Sequence, residues 1–303
     1  MPELLPLTQA GPTTEDVLHQ RLSRFNLKRF APTMPAGVDW RKDLQDYVAD
    51  ATLEGEYLER ELDTIRSQAE EAPGDAAEFA SWFEALKKSG PGQNDDLFPW
   101  LAETASIDDM KWFLTQEIAG EAGFEDLTAL TQIRLPTRPK LELARNYWDE
   151  MGRGKSKGMH GPLLETLGRQ LGLAPDMQTT VWESLALANT MAGLAANRRF
   201  AFHSVGALGV IEMTAPARAS AVARGLKRLG VPASDRHYFD LHSVLDVKHS
   251  IAWNTEAIYP LVDSNPTFAR AIAEGALMRL EAGRRCFKRY RRELSLWRTH
   301  HAA

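Results

Sequence analysis

The stretch Tyr238-Phe239-Asp240-Leu241-His242-Ser243-Val244-Leu245-Asp246-Val247-Lys248-His249 decides how the chain is read. It holds His242, Asp246 and His249 in a His-x3-Asp-x2-His pattern. An α-helix turns by about 100° per residue, so steps of four and three return to nearly one direction and the three side chains share a stripe. Two neutral imidazoles and a carboxylate on one stripe form a partial shell for a divalent transition metal. The plainer alternative is a helix with two ordinary histidines and an acid paired to one of them. The stripe continues to Phe239 and Trp253, beside a core face of Tyr238, Leu241, Leu245 and Ala252. It is therefore expected to be buried, and a buried ionised aspartate is costly unless it is paired or metal-bound.

Outward from this stretch the chain reads as helices. Ser234 is the expected N-cap of the motif's helix, which should run to Tyr259 before Pro260; a last helix should follow from Ser264 and Pro266 to Leu294. Upstream, one long pattern spans Met177 to Met213, with a bend near Arg198 or Gly206, and ends before Pro216; another helix covers Ala217 to Leu229. A helix from Lys140 to Met151 stops at Gly152-Arg153-Gly154, and Gly161-Pro162 opens the next, with proline in its first turn. Ser106 and Asp109 resemble a capping box for a helix running to Leu130. Leu44, Tyr47, Val48, Ala51, Leu58 and Leu62 mark an amphipathic helix over Asp39 to Ala69, followed by helices at Ala76 to Lys88 and, before it, Thr14 to Phe25. No segment alternates with period two, so the fold class is all-α. Residues 1–95, Pro-rich at first and closed by Ser89-Gly90-Pro91-Gly92, are expected to be an N-terminal helical extension to a domain of residues 96–303.

Composition excludes several classes. The chain is 44% hydrophobic and 25% charged, ordinary for a globular protein. A net charge of -5 implies no global field for polyanions. The single cysteine, Cys286, rules out an intramolecular disulfide and a thiolate zinc site, and suggests a reducing compartment. Neither a secretory signal nor a membrane-length apolar run is visible, so a cytoplasmic location and no membrane partner are expected.

Other residues could complete the shell. Glu212 sits in the apolar run Gly206 to Met213, where a carboxylate is a ligand, a partner of Arg198 or Arg199, or at an exposed helix end. Glu117 and Glu121 are four apart on a helix that also carries Asp108, Asp109, Glu125 and Asp126, so both could face solvent. Glu150 stands at a helix C-terminus, where the macrodipole disfavours an acid unless a cation is near. His160 is either a ligand or an exposed loop histidine.

Taken together, these residues resemble the haem-oxygenase-like diiron oxidase and oxygenase superfamily, the iron-containing redox enzymes. The matching order is a Glu on the first core helix, Glu150, His160, Glu212, then His242, Asp246 and His249, over residues 100–295. The resemblance implies a haem-oxygenase-like seven-helix bundle and a site of two Fe(II) ions with O2 as co-substrate. It implies seven ligands: Glu121, Glu150, His160, Glu212, His242, Asp246 and His249, with Glu117 one turn from Glu121 as the competing first ligand. Charge agrees, since four carboxylates neutralise two divalent cations. The implied activity is oxidation of a small organic molecule by C–H abstraction, C–C cleavage or N-oxygenation. Phe124, Trp148, Phe200, Phe202, His203 and Trp253 are candidate pocket residues, and Arg198 and Arg199 candidate anchors for a substrate carboxylate.

Two rivals stand beside this reading. One is a cofactor-independent enzyme or small-molecule binding protein on the same bundle, similar to thiaminase-like or quinone-biosynthesis members. The other is nucleic-acid binding by Arg284, Arg285, Lys288, Arg289, Arg291, Arg292 and Arg298, interleaved with Phe287, Tyr290 and Trp297. The net charge favours a solvated helix face instead, so no nucleic-acid partner is expected; a homodimer is possible.

Overall fold

A computed structural model describes residues 13–34, 39–121 and 123–294. Arg298, Trp297 and the first Pro-rich residues lie outside them. Helices account for most of the described chain, and no strand occurs among the described residues.

The first helices begin where acidic or hydroxyl side chains satisfy free backbone N–H groups. Thr13 and Asp16 form a reciprocal box at α1, Thr14–Phe30. Asp39 accepts from the amides of Arg41 and Lys42 at α2, Trp40–Ala69, and Asp75 from those of Ala77 and Glu78 at α3, Ala76–Ser89. After α4, Leu97–Glu103, the expected Ser106–Asp109 box caps α5, Ile107–Gly120. That helix does not reach Leu130. It ends at Gly120, Glu121 is extended, and Gly123 takes φ 74°, a left-handed conformation that glycine adopts without strain. α6, Phe124–Thr131, then starts afresh. Glu117 and Glu121 consequently leave their shared helical stripe.

α7, Thr137–Glu150, and α8, His160–Leu171, follow as expected. The single helix expected over Met177 to Met213 is instead two. α9, Trp182–Ala196, and α10, Ala201–Arg228, are separated by a 3-10 turn at Arg198–Phe200, where the Asn197 side chain accepts from the Arg199 amide. Nor does Pro216 stop α10. It lies inside the helix and is buried, leaving the Glu212 carbonyl without its usual i+4 donor. The motif helix, α11, is His237–Trp253; Arg236, not Ser234, occupies its N-cap. A π-helical turn, Asn254–Ile258, leads into α12, Tyr259–Ser264, whose first turn accommodates Pro260, and α13 spans Thr267–Glu293.

Both α11 and α13 pack along α10, while α1 lies on α9 and α2 on α13. The α10–α13 crossing is close enough to exclude side chains. A Cβ on Gly206 would lie 1.9 Å from the Ile272 carbonyl oxygen, and one on Gly275 1.8 Å from that of His203. Leu58, Ile65, Phe79 and Phe83 of α2 and α3 share one apolar core with Val205, Leu208, Ile272 and Leu277 of α10 and α13. Buried Trp253 donates its indole N–H to the Val205 carbonyl at 3.1 Å and fixes α11 in register on α10.

The exposure of α11 inverts the usual amphipathic pattern. Its buried residues are Asp246, His249 and Trp253, while Val244, Val247 and Ile251 face solvent. Leu241, Leu245 and Ala252, expected as its core face, are only half-buried. No helix of the described residues is long and apolar enough to cross a membrane. Of the basic cluster on α13, Arg284 pairs with Glu281, Arg285 with Glu61, Arg289 with Glu293, Arg291 with Asp95 and Arg292 with Glu183. Phe287 and Tyr290 between them are core residues.

Candidate metal centre

The loop between α7 and α8 brings Glu150 and His160 together. Met151 and Met159 form an isolated antiparallel bridge that folds the chain back on itself. Gly152, at φ 60°, makes this crossing possible, because a Cβ there would lie 2.4 Å from the Gly158 carbonyl carbon. The Glu150 carboxylate Oε2 then lies 2.5 Å from His160 Nδ1, with both side chains buried. α11 supplies His242 from the opposite side, its ring edge-on to His160 at a centroid distance of 4.5 Å. Asp246 accepts from His242 Nδ1 at 3.0 Å, one helical turn away.

α10 contributes Glu212. One of its oxygens accepts from the Asn146 amide at 2.5 Å, and the other lies 3.4 Å from His249 Nδ1. The opposite nitrogen of that imidazole, Nε2, meets Asp149 at 3.1 Å, and Asp149 is in turn held by Arg153 at 2.6 Å. Two sets of donor atoms thus converge within 4.8 Å: Glu150, His160 and His242, and Glu150, Glu212 and His249. Glu150 belongs to both. Asp246 stands between them, 4.0 Å from His249 Nδ1.

Glu150, His160, Glu212, His242 and Asp246 border a cavity of about 230 Å³ that also reaches Glu117, Glu121, Arg218 and Arg279; His249 stands behind Glu212, outside its lining. Neither Glu121 nor Glu117 belongs to the two convergent sets. Glu121 retains solvent access and accepts from the Gly123 amide at 3.1 Å. Protein atoms nonetheless crowd its carboxyl, and that desolvation, with the charge of Glu125, holds its pKa above the ordinary range. Glu117 turns the other way and accepts the Tyr290 hydroxyl at 2.8 Å. Of the two, only Glu121 senses the charge of His242.

Burial dominates the electrostatics. It raises the Glu150 and Glu212 carboxyls to about 7, with Asp246 adding like charge to each. It lowers His160 to about 4, helped by neighbouring His242. For His242, burial opposes the charge, but the bond to Asp246 and the acids around it prevail and raise the imidazole to about 9. His249 is likewise raised to about 9, against burial, by Glu212 and Asp149. His160 Nδ1, His242 Nε2 and His249 Nδ1 are buried without a hydrogen-bond partner. Unpartnered imidazole nitrogens beside carboxylates are a donor set suited to a first-row metal such as iron.

The structure also gives roles to residues the sequence did not single out. Asn146 and Asp149, three apart on α7 and beside the expected ligand Glu150, brace Glu212 and His249. Glu125 borders the cavity beside Gly161. Of the expected pocket residues, Phe124 lines the cavity. Trp148 is exposed, Phe200 and Trp253 are core, Phe202 stacks on Phe268, and His203 bonds Glu274 at 3.0 Å. Arg198 and Arg199 are not substrate anchors in the cavity: Arg198 donates to the Leu130 and Ile133 carbonyls, and Arg199 pairs with Glu59. Backbone carbonyls freed at the end of α6 attract Arg198 outward.

Comparison with known proteins bears on this geometry. The family model described as iron-containing redox enzyme matches residues 111–284. Two crystal structures of a CADD-like protein of unknown function from Nostoc punctiforme PCC 73102, at 2.00 Å and 1.35 Å resolution, share the fold at 18% identity. The first covers 71% of this chain and 96% of its own with a TM-score of 0.55; the second covers 70% and 93% with 0.53. No curated protein matches. The chain belongs to the iron-containing redox enzyme family.

Proposed function

We propose that this member of the iron-containing redox enzyme family is a non-haem diiron oxidase or oxygenase that uses O2 to oxidise a small organic molecule. The observation that carries the reading is the pair of donor sets sharing Glu150. Glu150, His160, His242 and Asp246 would hold one iron, and Glu150, Glu212 and His249 the other, with Glu121 completing the shell from the cavity side. Bound iron would supply the one-electron chemistry toward O2 that amino-acid side chains lack.

The chain's own contribution is arrangement and exclusion. Asp149 fixes the His249 ring through Nε2 and leaves Nδ1 turned toward Glu212. A carboxylate behind a ligating imidazole orients it and raises its basicity. The amide of Asn146 holds Glu212 in one rotamer. Four carboxylates and three imidazoles give charge neutrality with two divalent cations, which lets the cluster stay buried. Phe113, Met191, Ile211 and Phe239 wall the cavity with apolar surface, restrict bulk water and leave the substrate beside His242 and Asp246.

Anaerobic reconstitution with Fe(II), followed by metal counting and O2-consumption assays, tests this reading. Two irons per chain in the wild type, falling below one in His242→Ala, are expected. Binding of less than one iron that His242→Ala leaves unchanged would overturn it.

A further inference from the structure

At the cavity wall formed by α5, α10 and α13, two guanidinium groups border the same space as the carboxyls of Glu117 and Glu121. Arg279 of α13 borders the cavity, and its Nε and Nη1 are buried without a hydrogen-bond partner. Among the described residues it forms no ion pair. Arg218 of α10 borders the same space. It donates through Nε to the Thr214 carbonyl at 3.1 Å and also bonds the Thr214 hydroxyl. Its guanidinium lies 5.3 Å from the Phe287 ring centroid and 5.9 Å from that of Phe98. These contacts hold Arg218 in place without neutralising it.

Glu117 is the acid whose charge both arginines feel, and Tyr290 already donates to it. Glu121 acts on Arg279 from farther along the wall. Burial opposes the charge of both guanidiniums, and each repels the other at Arg218, while burial also raises the Glu117 carboxyl. A guanidinium does not lose its proton in a protein, so the pair carries two positive charges, while burial disfavours the ionised form of Glu117 and Glu121, the carboxyls that oppose them. A buried positive charge without a partner is costly, and an anion from outside would relieve it.

We propose that Arg218 and Arg279 form an anion subsite for the carboxylate of a small organic acid lying in the cavity. Arg218 is six residues beyond Glu212 on α10, an axial rise of about 9 Å. Apolar side chains, including Phe113, Leu187, Met191 and Val222, line the same cavity. The acid is thus elongated, with an apolar middle, and its carbon nearest Glu212 and His242 is several bonds from the carboxylate. That this acid is the molecule oxidised rests on the reading of the cluster as an iron site; its binding to the arginines does not.

Calorimetric titration of the full-length metal-free protein tests the subsite. The probes are straight-chain carboxylates from acetate to decanoate and the primary alcohols of the same lengths. At least one carboxylate should bind about tenfold or more tighter than its alcohol, as charge-assisted bonds to guanidinium require. Arg279→Gln and Arg218→Gln should each erase that preference, while Arg279→Lys should keep part of it. Equal binding of acids and alcohols by the wild type overturns the proposal without recourse to any variant. So does a preference that survives both glutamine variants, or carboxylate binding that appears only after iron loading. Glu150→Gln separates the two readings: it should lower iron content and leave carboxylate affinity unchanged.

Discussion

Histidines are buried in two regions of this molecule, and the regions differ in what surrounds them. His19 of α1 is fully buried, edge-on to Tyr57 and stacked on Trp182, with ring centroids 4.9 Å and 5.6 Å away. Its neighbours are amides and hydroxyls: Asn189 bonds both the His19 carbonyl and Asn26, and Tyr57 bonds Thr190. Glu15, partly exposed at 3.4 Å, is the acid beside it. Burial, then the charges of Arg60 and Arg285, lower His19 to about 3, so it stays a neutral packing group. In the cluster of α7, α8, α10 and α11, His160, His242 and His249 meet Glu150, Glu212, Asp246 and Asp149. Burial alone therefore does not mark a ligand histidine. The convergence of several carboxylates on the rings does; an unpartnered ring nitrogen by itself does not, since His19 Nε2 is one as well.

Substitutions can break this contrast, and the largest effect is expected within the cluster. Asp246→Asn keeps the shape but removes a charge between His242 and His249. It should reduce bound iron to one or fewer per chain, whereas His19→Gln should leave the iron count unchanged; metal analysis after reconstitution compares them. Asp149→Asn is expected to be milder. It should keep the iron count at saturating metal but weaken apparent affinity about 10–100-fold, the loss typical when the group behind a ligating imidazole is removed. Competition with a chelator measures it.

A smaller effect separates the two regions by pH. Because the folded state lowers His19 from 6.5 to about 3, its neutral form contributes stability that is present above pH 6.5 and lost as pH falls toward 3. Metal-free His19→Gln should thus lose less Tm than the wild type between pH 7 and pH 4, by at least about 2 °C in thermal unfolding. The smallest effect is expected on the outer face of α11. Val247→Lys, opposite the buried acids, should change unfolding free energy by less than about 0.5 kcal/mol and leave iron binding intact.

How much was legible beforehand follows from the range of the interactions. The His-x3-Asp-x2-His spacing placed three side chains on one face of α11 because helical geometry is local. Capping chemistry located the start of α5, and hydrophobic spacing the helix α2, for the same reason. Pro216 misled because a buried proline inside a helix is tolerated when tertiary packing outweighs one lost hydrogen bond. The break between α5 and α6 was hidden because apolar and acidic residues continue the helical pattern across Gly123. The two arginines of the cavity carry no local signal, and Arg198 and Arg199 looked more suggestive only for lying together in sequence.

The sequence by itself determined that the chain is helical and that one helix carries a ligand-type stripe. It also supplied four carboxylates and three imidazoles in an order similar to the family's. The burial of that stripe was expected from its continuation to Phe239 and Trp253; only the tertiary structure decided that Leu241, Leu245 and Ala252 are left half-buried, since the partners of the stripe on α7, α8 and α10 set how α11 is turned. Likewise it alone decided that Asp149 stands behind His249, that Glu117 faces Tyr290, and that Arg218 and Arg279 look into one cavity. Those meetings depend on how the helices cross, and the α10–α13 crossing that places the two arginines is set by close backbone approach at Gly206 and Gly275.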